Sequence, residues 1–289
     1  MSEVAAVGPV RQSLLMRVAW GVRRDPLLVL CSCICAVLVF VVLFGPLLAP
    51  YPPNQISILA VNQGVSGSHW LGTDDLGRDI LSRLLYGARP SLVGAAFVVV
   101  FATSFGTFLA IVSVWYGGWV DRGIMRFANV LFAIPSILIA IVGVAILGPG
   151  LTAPVLALSV AYSPYFARIG RAAALPEREK PYIEACSLAG LSARRICFFH
   201  LLPNIGPIVL AQATINLGFA LMDLAAISFI GLGVQLPGAD WGVMISEGRS
   251  SLLNGHPMEA LAAGTVIVVS VVAVMVLGER LAARAKSDA

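Results

Sequence analysis

The chain has 289 residues, of which 58% are hydrophobic and only 12% are charged, and its mean hydropathy is +0.90. This composition leaves too little polar surface to cover a water-soluble globule of that size, so a lipid bilayer is the expected solvent. The formal net charge of +4 requires no nucleic-acid partner, because basic cytoplasmic loops and anionic lipid headgroups account for it.

Six charge-poor windows are long enough to cross about 30 Å of hydrocarbon as helices, which takes roughly 20 residues each. They predict spans over residues 27–48, 92–114, two within 127–167, 205–232 and 260–277. Within 127–167, Gly148-Pro149-Gly150 predicts a tight turn between the third and fourth helices. Bilayer helices tolerate prolines when neighbours satisfy the freed backbone groups, as expected here for Pro46, Pro135, Pro154, Pro164 and Pro207.

The distribution of Lys and Arg predicts that both termini are cytoplasmic, because short basic loops are retained there. In this orientation the outside carries only Arg78, Arg83, Arg89 and Arg249. The inside carries Arg11, Arg17, Arg23, Arg24, Arg122, Arg126, Arg168, Arg171, Arg178, Lys180, Arg194, Arg195, Arg280, Arg284 and Lys286. A cleaved signal peptide is an alternative for the basic, then apolar, N-terminus, but the apolar run is long enough to indicate an uncleaved first span.

The cysteines indicate neither a disulfide framework nor a metal site. Cys31, Cys33 and Cys35 lie within the first predicted span, where alternate positions point about 200° apart and cannot converge on one ion. The other two cysteines fall in a predicted cytoplasmic loop, and the three histidines are widely scattered. We therefore expect no bound metal.

The loop between the fourth and fifth predicted spans carries the most specific pattern. An acidic residue and two small residues, Glu184, Ala185 and Cys186, are followed after three residues by Gly190. After nine further residues the sequence reads His200, Leu201, Leu202 and Pro203. This pattern resembles the EAA loop of the inner-membrane subunits of ATP-binding-cassette (ABC) importers. Cys186 replaces the third small residue of that motif, and His200 replaces an isoleucine, as is typical of the peptide and nickel branch.

The resemblance assigns ATPase coupling to six of these residues: Glu184, Ala185, Cys186, Gly190, Leu202 and Pro203. His200 is expected to have a structural role, since no carboxylate or nucleophile accompanies it at a useful spacing. Pro203 is expected to start the fifth span, where its missing N–H is harmless.

A short surface helix is predicted from Pro181 onward, with Ile183, Leu188 and Leu191 on its apolar side and Glu184 exposed. Its small residues would keep it slim, so that it could enter a groove on a partner. The alternative is an ordinary amphipathic interfacial helix with a solvated glutamate and basic anchors.

A second resemblance lies in the predicted outer loop that precedes the second span. Its sequence is His69-Trp70-Leu71-Gly72-Thr73-Asp74-Asp75-Leu76-Gly77-Arg78-Asp79, which is similar to a hallmark of the C-type subunits of dipeptide and oligopeptide importers. The spacings of Asp75 to Arg78 and of Asp79 to Arg83 predict ion pairs on one helical face. Two roles remain open: a surface helix on the outer leaflet, or contact with a substrate-delivering receptor through Asp74, Asp75, Arg78 and Asp79.

Other stretches extend the resemblance over nearly the whole chain: residues 116–122, residues 227–233 and Asp240-Trp241-Gly242. The family's usual acid near the end of the fifth span would fall at Leu224, whereas this chain has Asp223 one residue earlier. An acid inside the bilayer is expected either to lie on the transport pathway or to be hydrogen-bonded by a neighbouring helix.

Several enzymatic functions lack their motifs in this sequence. It contains no G-x-x-x-x-G-K-[ST] phosphate loop, no H-E-x-x-H and no G-x-S-x-G. The chain is therefore expected to be non-catalytic, with a partner supplying the energy. A self-sufficient secondary transporter is the less favoured alternative, because it would show internal repeats and several paired acids or bases in the bilayer.

The resemblance implies an all-α, six-helix type I ABC importer permease with a MetI-like fold in the inner membrane of a prokaryote. It also implies the partners: a homologous B-type permease subunit, ABC ATPase subunits that hold ATP and Mg, an extracytoplasmic substrate-binding protein, membrane lipid and a peptide substrate. A dipeptide is the favoured cargo; oligopeptides and nickel are alternatives.

The expected organisation follows from these assignments. Residues 1–26 form a cytoplasmic tail, 27–48 the first span and 49–90 an outer loop with an amphipathic helix. A five-helix permease core covers 91–281 and includes the EAA loop at 171–204, and 282–289 form a second cytoplasmic tail.

Overall fold

The computed structural model describes residues 26–287, and they are predominantly helical. The helices are α1 (Pro26–Leu48), α2 (Ile80–Tyr116), α3 (Gly118–Phe132), α4 (Ser136–Leu147), α5 (Thr152–Arg178), α6 (Pro181–Leu188), α7 (Ala193–Ile196), α8 (Leu202–Phe229), α9 (Trp241–Leu253) and α10 (Met258–Ser287). No β-strand occurs in this described part of the chain, which confirms the predicted all-α class. Arg11, Arg17, Arg23 and Arg24 of the predicted N-terminal tail lie outside the described residues, as do the last two residues.

Within residues 26–287, four helical segments are long and apolar enough to cross a membrane: α1, α2, the stretch Ala193–Phe229 and Met258–Arg284 of α10. The pair α3 and α4 would make a fifth, although it is sharply bent. At 27 residues α5 is also long enough to span, but it is less apolar than the others. Six spans therefore remain a prediction.

The third predicted span is not one straight helix, which corrects the interpretation of residues 127–147. Helix α3 ends at Phe132, α4 begins at Ser136, and the two are bent by 87°. Pro135 lies at the break, where it cannot donate a backbone hydrogen bond and disfavours helical geometry in the residue before it. Alone, the 12-residue α4 covers only about 18 Å, less than the hydrocarbon thickness.

The second predicted span is part of a longer helix. Helix α2 has 37 residues and is roughly 55 Å long, which exceeds the bilayer core. It begins after Asp79, whose carboxylate accepts a 2.8 Å hydrogen bond from the Ser82 N–H and so caps the helix. The amphipathic outer helix that the sequence predicts is thus the first turns of α2 and not a separate element.

The core is centred on the contact between α2 and α5, the most extensive between any two described helices. A Cβ atom at Gly106 would lie 2.5 Å from the Ser163 carbonyl oxygen and 2.6 Å from the Phe166 Cβ. Ala102 and Ala110, one turn to either side on α2, are fully buried. Small residues thus bring the two backbones into close contact, as is typical of helix packing in membranes.

Helices α8 and α10 form the second major contact by the same device. A Cβ atom at Gly218 would lie 2.8 Å from the Met275 Cγ, and one at Gly278 would lie 2.8 Å from the Ile215 backbone nitrogen. Helix α1 packs at the edge, against α2 and α10. The bundle therefore has a compact centre and a peripheral first helix with many exposed apolar side chains.

The start of the fifth predicted span differs from the expectation that Pro203 begins it. The helical backbone runs on from α7 into α8 through a π turn at Cys197–Leu201, in which the Leu202 N–H bonds to the Cys197 carbonyl. In an α-helix the Phe199 carbonyl would need the missing N–H of Pro203 and would clash with its ring. The wider turn relieves this conflict, and Pro203 lies in the first turn of α8.

The contact between α2 and α5 predicts how the bundle responds to one added methyl group. Gly106→Ala should lower the free energy of unfolding by about 1–3 kcal/mol, because the methyl group overpacks two backbones that cannot separate. Gly264→Ala on α10 is the matched control, since a Cβ atom there meets no atom of the chain within 4 Å. Thermal denaturation of the purified variants in detergent measures the difference. Equal midpoints for both variants would contradict this packing.

Candidate functional site

The predicted coupling segment forms a short helix with a defined end. Helix α6 starts at Pro181, where a missing N–H costs nothing, and is closed by Gly190 with φ at +80°. The Leu191 N–H bonds to the Cys186 carbonyl at 3.2 Å, and the Gly190 N–H bonds to the Ser187 carbonyl at 3.0 Å. This is a Schellman-type termination, which requires a left-handed residue and so explains the glycine.

One side of α6 is open to solvent. Glu184, Ala185 and Ala189 are exposed, and Leu188 is 83% exposed, whereas Ile183 is buried. The sequence placed Leu188 on the apolar side with Ile183, and this is wrong, because the two side chains project in different directions. An exposed leucine beside a glutamate and small residues forms a surface of the kind that fits a partner's groove.

A polar cluster attaches α6 to the helices on either side of it. The Tyr182 hydroxyl donates to Glu177 Oε1 at 2.6 Å and accepts from Asn204 Nδ2 at 2.7 Å, and Lys180 Nζ lies 2.7 Å from Glu177 Oε2. Burial alone would raise the pKa of Glu177, but the hydrogen bonds from Lys180, Tyr182 and Asn204 outweigh it and lower that pKa. The His200 ring packs against the Tyr182 ring, with 6.3 Å between the ring centroids, in keeping with a structural role.

Sequence reasoning did not identify Tyr182, Glu177 and Asn204 as positioning residues. The tyrosine follows Pro181 and the asparagine follows Pro203, so both stood within the recognised pattern. Because their side chains come from three different helices, α5, α6 and α8, only the tertiary structure shows that they meet.

The end of α2, the start of α3 and the C-terminal part of α5 are also joined by charged side chains. Arg171 donates two hydrogen bonds to Asp121, at 2.6 and 2.7 Å, and Ser113 donates a third. These bonds lower the pKa of Asp121 despite its partial burial, with the Arg171 contribution the largest. Arg178 donates to the Val114 carbonyl and lies over the Trp115 ring at 5.6 Å. These contacts hold the part of α5 that precedes α6 against α2 and α3.

The outer motif is buried and not on the surface. Arg78 Nε lies 2.5 Å from Asp74 Oδ2, Arg78 Nη2 lies 2.8 Å from Glu247 Oε1, and Arg83 pairs with the other oxygen of Glu247. Asp74, Arg78 and Arg83 are at most 2% exposed. The predicted surface pairs, Asp75 with Arg78 and Asp79 with Arg83, are not among the described ion pairs, because both arginines pair with Glu247 of α9.

Asp79 is likewise committed to the interior of the chain. Besides capping α2 it accepts a 2.7 Å hydrogen bond from the Ser82 hydroxyl, and its Oδ1 lies 2.9 Å from His69 Nδ1. Of the four candidate receptor contacts, Asp74, Arg78 and Asp79 are buried, and only Asp75 is partly exposed. Asp75 is thus the candidate that is positioned for direct contact, and receptor contact through this motif stays a prediction.

The Asp240-Trp241-Gly242 stretch joins the outer loop to the bundle. Asp240 caps α9 by accepting from the Gly242 N–H at 3.0 Å, and the Trp241 indole donates to the Leu84 carbonyl at 3.0 Å. Gly242 is required because a Cβ atom there would lie 2.4 Å from the Ala225 carbonyl oxygen. The motif is therefore explained by packing of α9 against α2 and α8.

Asp223 lies within α8, where α4 and α5 approach it. Its Oδ2 accepts hydrogen bonds from the Ser136 hydroxyl at 2.7 Å and from the Tyr162 hydroxyl at 3.0 Å. The side chain remains partly exposed. The neighbouring helices thus donate two hydrogen bonds to the Asp223 carboxylate and leave this side chain partly exposed.

The sequence matches known protein families and individual transport proteins. A family model described as the binding-protein-dependent transport system inner membrane component matches residues 102–287, and one described as the N-terminal TM domain of oligopeptide transport permease C matches 13–64. A dipeptide transport system permease of Alkalihalophilus pseudofirmus is 36% identical, with 96% of this chain and 90% of the relative covered. A glutathione transport system permease of Pectobacterium atrosepticum is 38% identical, with 84% and 81% covered.

A solved structure supports the fold. An inward-facing conformation of the MetNI methionine ABC transporter contains a chain that superimposes with a TM-score of 0.54 at 21% identity, covering 70% of this chain and 95% of that one. The match confirms the predicted MetI-like fold. The two family models and the two relatives show that this chain belongs to the family of inner-membrane permease subunits of ABC importers, as a C-type subunit.

Proposed function

We propose that this chain forms half of the translocation pathway of a peptide importer and that the exposed side of α6 docks into a separate ATPase subunit. The observation that carries the proposal is the arrangement of α6: Glu184 and Leu188 are exposed, Gly190 closes the helix in a left-handed conformation, and Tyr182 attaches it to the helices on either side. A rigid, slim helix of this kind transmits a displacement without ordering many side chains on binding.

The energy source is assigned to the partner. The sequence has no phosphate-binding loop, so ATP and Mg are held by the ATPase subunits and the chain itself has no catalytic role. Of the assigned coupling residues, Leu202 and Pro203 lie at the junction of the π turn and α8, and they set the direction in which α8 leaves the loop. The surface of α6 and the base of α8 would then move together.

Short peptides are the proposed cargo, with a dipeptide favoured. The two relatives are named for dipeptide and for glutathione transport, and both cargoes are small peptides. Oligopeptides and nickel are the alternatives within the same importer class. Cargo identification on the assembly purified with its extracytoplasmic substrate-binding protein distinguishes them, because that receptor selects the cargo.

Asp223 is proposed to face the pathway. Three helices supply the groups of this site, and the carboxylate stays partly exposed while two hydroxyls hold it in position. Its negative charge suits the ammonium group of a peptide, and the homologous B-type permease subunit would close the other side of the pathway.

The proposed setting is the inner membrane of a prokaryote, with both termini cytoplasmic, α6 inside and the residue 49–79 and 233–257 segments outside. The orientation rests on the distribution of Lys and Arg. Lipid contacts the exposed apolar side chains of α1, which include Val37, Val39 and Phe40.

Cysteine accessibility in intact cells tests this orientation. In a variant whose native cysteines are replaced by serine, a membrane-impermeant thiol reagent should label Gln63→Cys and His256→Cys but not Ser192→Cys. All three positions are exposed in the chain, so labelling reports the side of the membrane and not burial. Reaction at Ser192→Cys while the membrane is intact would invert the topology and remove α6 from the ATPase side.

Two substitutions test the docking of α6. Glu184→Lys reverses an exposed charge, and Gly190→Leu places a side chain at φ +80°, where it strains the helix end. Each should lower ATPase co-purification and peptide-stimulated hydrolysis by about tenfold or more, since ~1.4 kcal/mol of lost affinity has that effect. Neither lies in a spanning helix, so membrane insertion should persist.

The matched control is Glu179→Lys, which makes the same charge reversal at an exposed position just before α6. It should retain normal coupling. If Glu184→Lys and Gly190→Leu both transport peptide at the rate of the unmodified protein, α6 is only an interfacial helix and the proposed coupling role fails.

A further inference from the structure

A net negative cluster lies at the outer end of the bundle, where the 72–79 segment, α9 and the start of α10 meet. The carboxylates of Asp74, Asp75, Glu247 and Glu259 surround the guanidinium groups of Arg78 and Arg83. When all four carboxyl groups are ionised, they exceed the two guanidinium groups by two negative charges in a largely buried region. Asp79 is not counted in this group, because its carboxylate caps α2 and lies against His69.

Glu259 and the Nε of Arg83 are the groups of this cluster that have no hydrogen-bond partner among the described residues. Its side chain is 1% exposed, and neither of its carboxylate oxygens has a hydrogen-bond partner among the residues that the structure describes. The nearest cation in the ion pairs is Arg83, whose Nε lies 4.0 Å from Glu259 Oε1, beyond hydrogen-bond distance. A buried carboxyl group in this position needs either a positive group or a proton to neutralise it.

The unsatisfied carboxylate is aimed at two others. One oxygen from each of Asp74, Asp75 and Glu259 lies within 4.8 Å of the other two. Oxygens that share one calcium ion lie at most about 5.2 Å apart, because each is 2.3–2.6 Å from the ion, and the three oxygens meet this limit. Magnesium usually keeps several of its waters and is bound through one or two carboxylates, whereas calcium is commonly bound by several carboxylates.

We propose that Asp74, Asp75 and Glu259 bind a calcium ion. Two positive charges balance the two excess negative charges of the cluster, and all three ligands are the hard oxygen donors that calcium prefers. Asp75 is the partly exposed ligand, so it forms the side from which the ion enters. The ion would tie the loop before α2 to the first turn of α10, and this role is independent of the cargo and of coupling through α6.

Sequence reasoning expected no metal because it considered cysteine and histidine. It could not consider this site, since Asp74 and Glu259 are far apart in the sequence and become neighbours only when α10 packs against α2 and α9.

Calcium binding to the full-length chain, purified in detergent with the subunits that accompany it, tests the site. Equilibrium dialysis against radioactive calcium should give one more bound ion per copy of the unmodified chain than of Glu259→Gln. Asp75→Asn, which changes a partly exposed ligand and preserves the buried core, should weaken that binding by about tenfold or more. Glu279→Gln is the matched control, since it makes the same change at an exposed position near the other end of α10.

Thermal denaturation distinguishes an ion from a proton on Glu259. Calcium should raise the melting temperature of the unmodified protein and of Glu279→Gln relative to a chelator, and should have no such effect on Glu259→Gln. If the unmodified protein and both site variants bind equal amounts of calcium, or if the melting temperature of the unmodified protein does not respond to calcium, the site does not exist and a proton neutralises Glu259. If Glu259→Gln does not fold, the Asp75→Asn binding result decides between these outcomes.

Discussion

The close approach of α2 and α5 is the contact on which the rest of the molecule depends. Because Gly106 carries no side chain, the two backbones meet directly, and in a bilayer such van der Waals contact replaces the hydrophobic effect as the force between helices. The first turn of α2 carries Arg83 of the buried charge cluster. The C-terminal part of α5 carries Arg171, which pairs with Asp121 of α3, and Glu177, which accepts a hydrogen bond from Tyr182 of α6. Both polar regions are thus built on one rigid pair of helices.

Charge is used differently at the two ends. At the outer end, Arg78 and Arg83 are desolvated and share the carboxylates of Glu247 and Asp74, so removing one partner would leave another charge buried without compensation. At the inner end, Arg171 and Asp121 are partly exposed, where an ion pair contributes less. The outer cluster therefore constrains how α2, α9 and α10 meet, whereas the Arg171–Asp121 pair joins α5 to α3.

Much of the fold was predictable because the bilayer limits what a chain can do. A backbone in hydrocarbon must satisfy its own hydrogen bonds, so long apolar windows predict helices, and α1, α2, α8 and α10 coincide with four of the six predicted windows. The break at Pro135 was not predicted, because an apolar composition is the same on a straight and on a bent helix. The Glu184 to Pro203 pattern also located α6 and the glycine at its end, since a left-handed helix end depends on local sequence.

Local pattern and composition thus determined the all-helical class, the position of α6 and the resemblance to ABC importer permeases. The tertiary structure alone decided which side chains meet: Tyr182 with Glu177 and Asn204, Asp223 with Ser136 and Tyr162, and the outer acids with their arginines. The spacing of Asp75 and Arg78 suggested a surface pair, but in the folded chain Arg78 and Arg83 both pair with Glu247 of α9. Partners that lie far apart in the sequence are fixed by helix packing, which short-range periodicity does not encode.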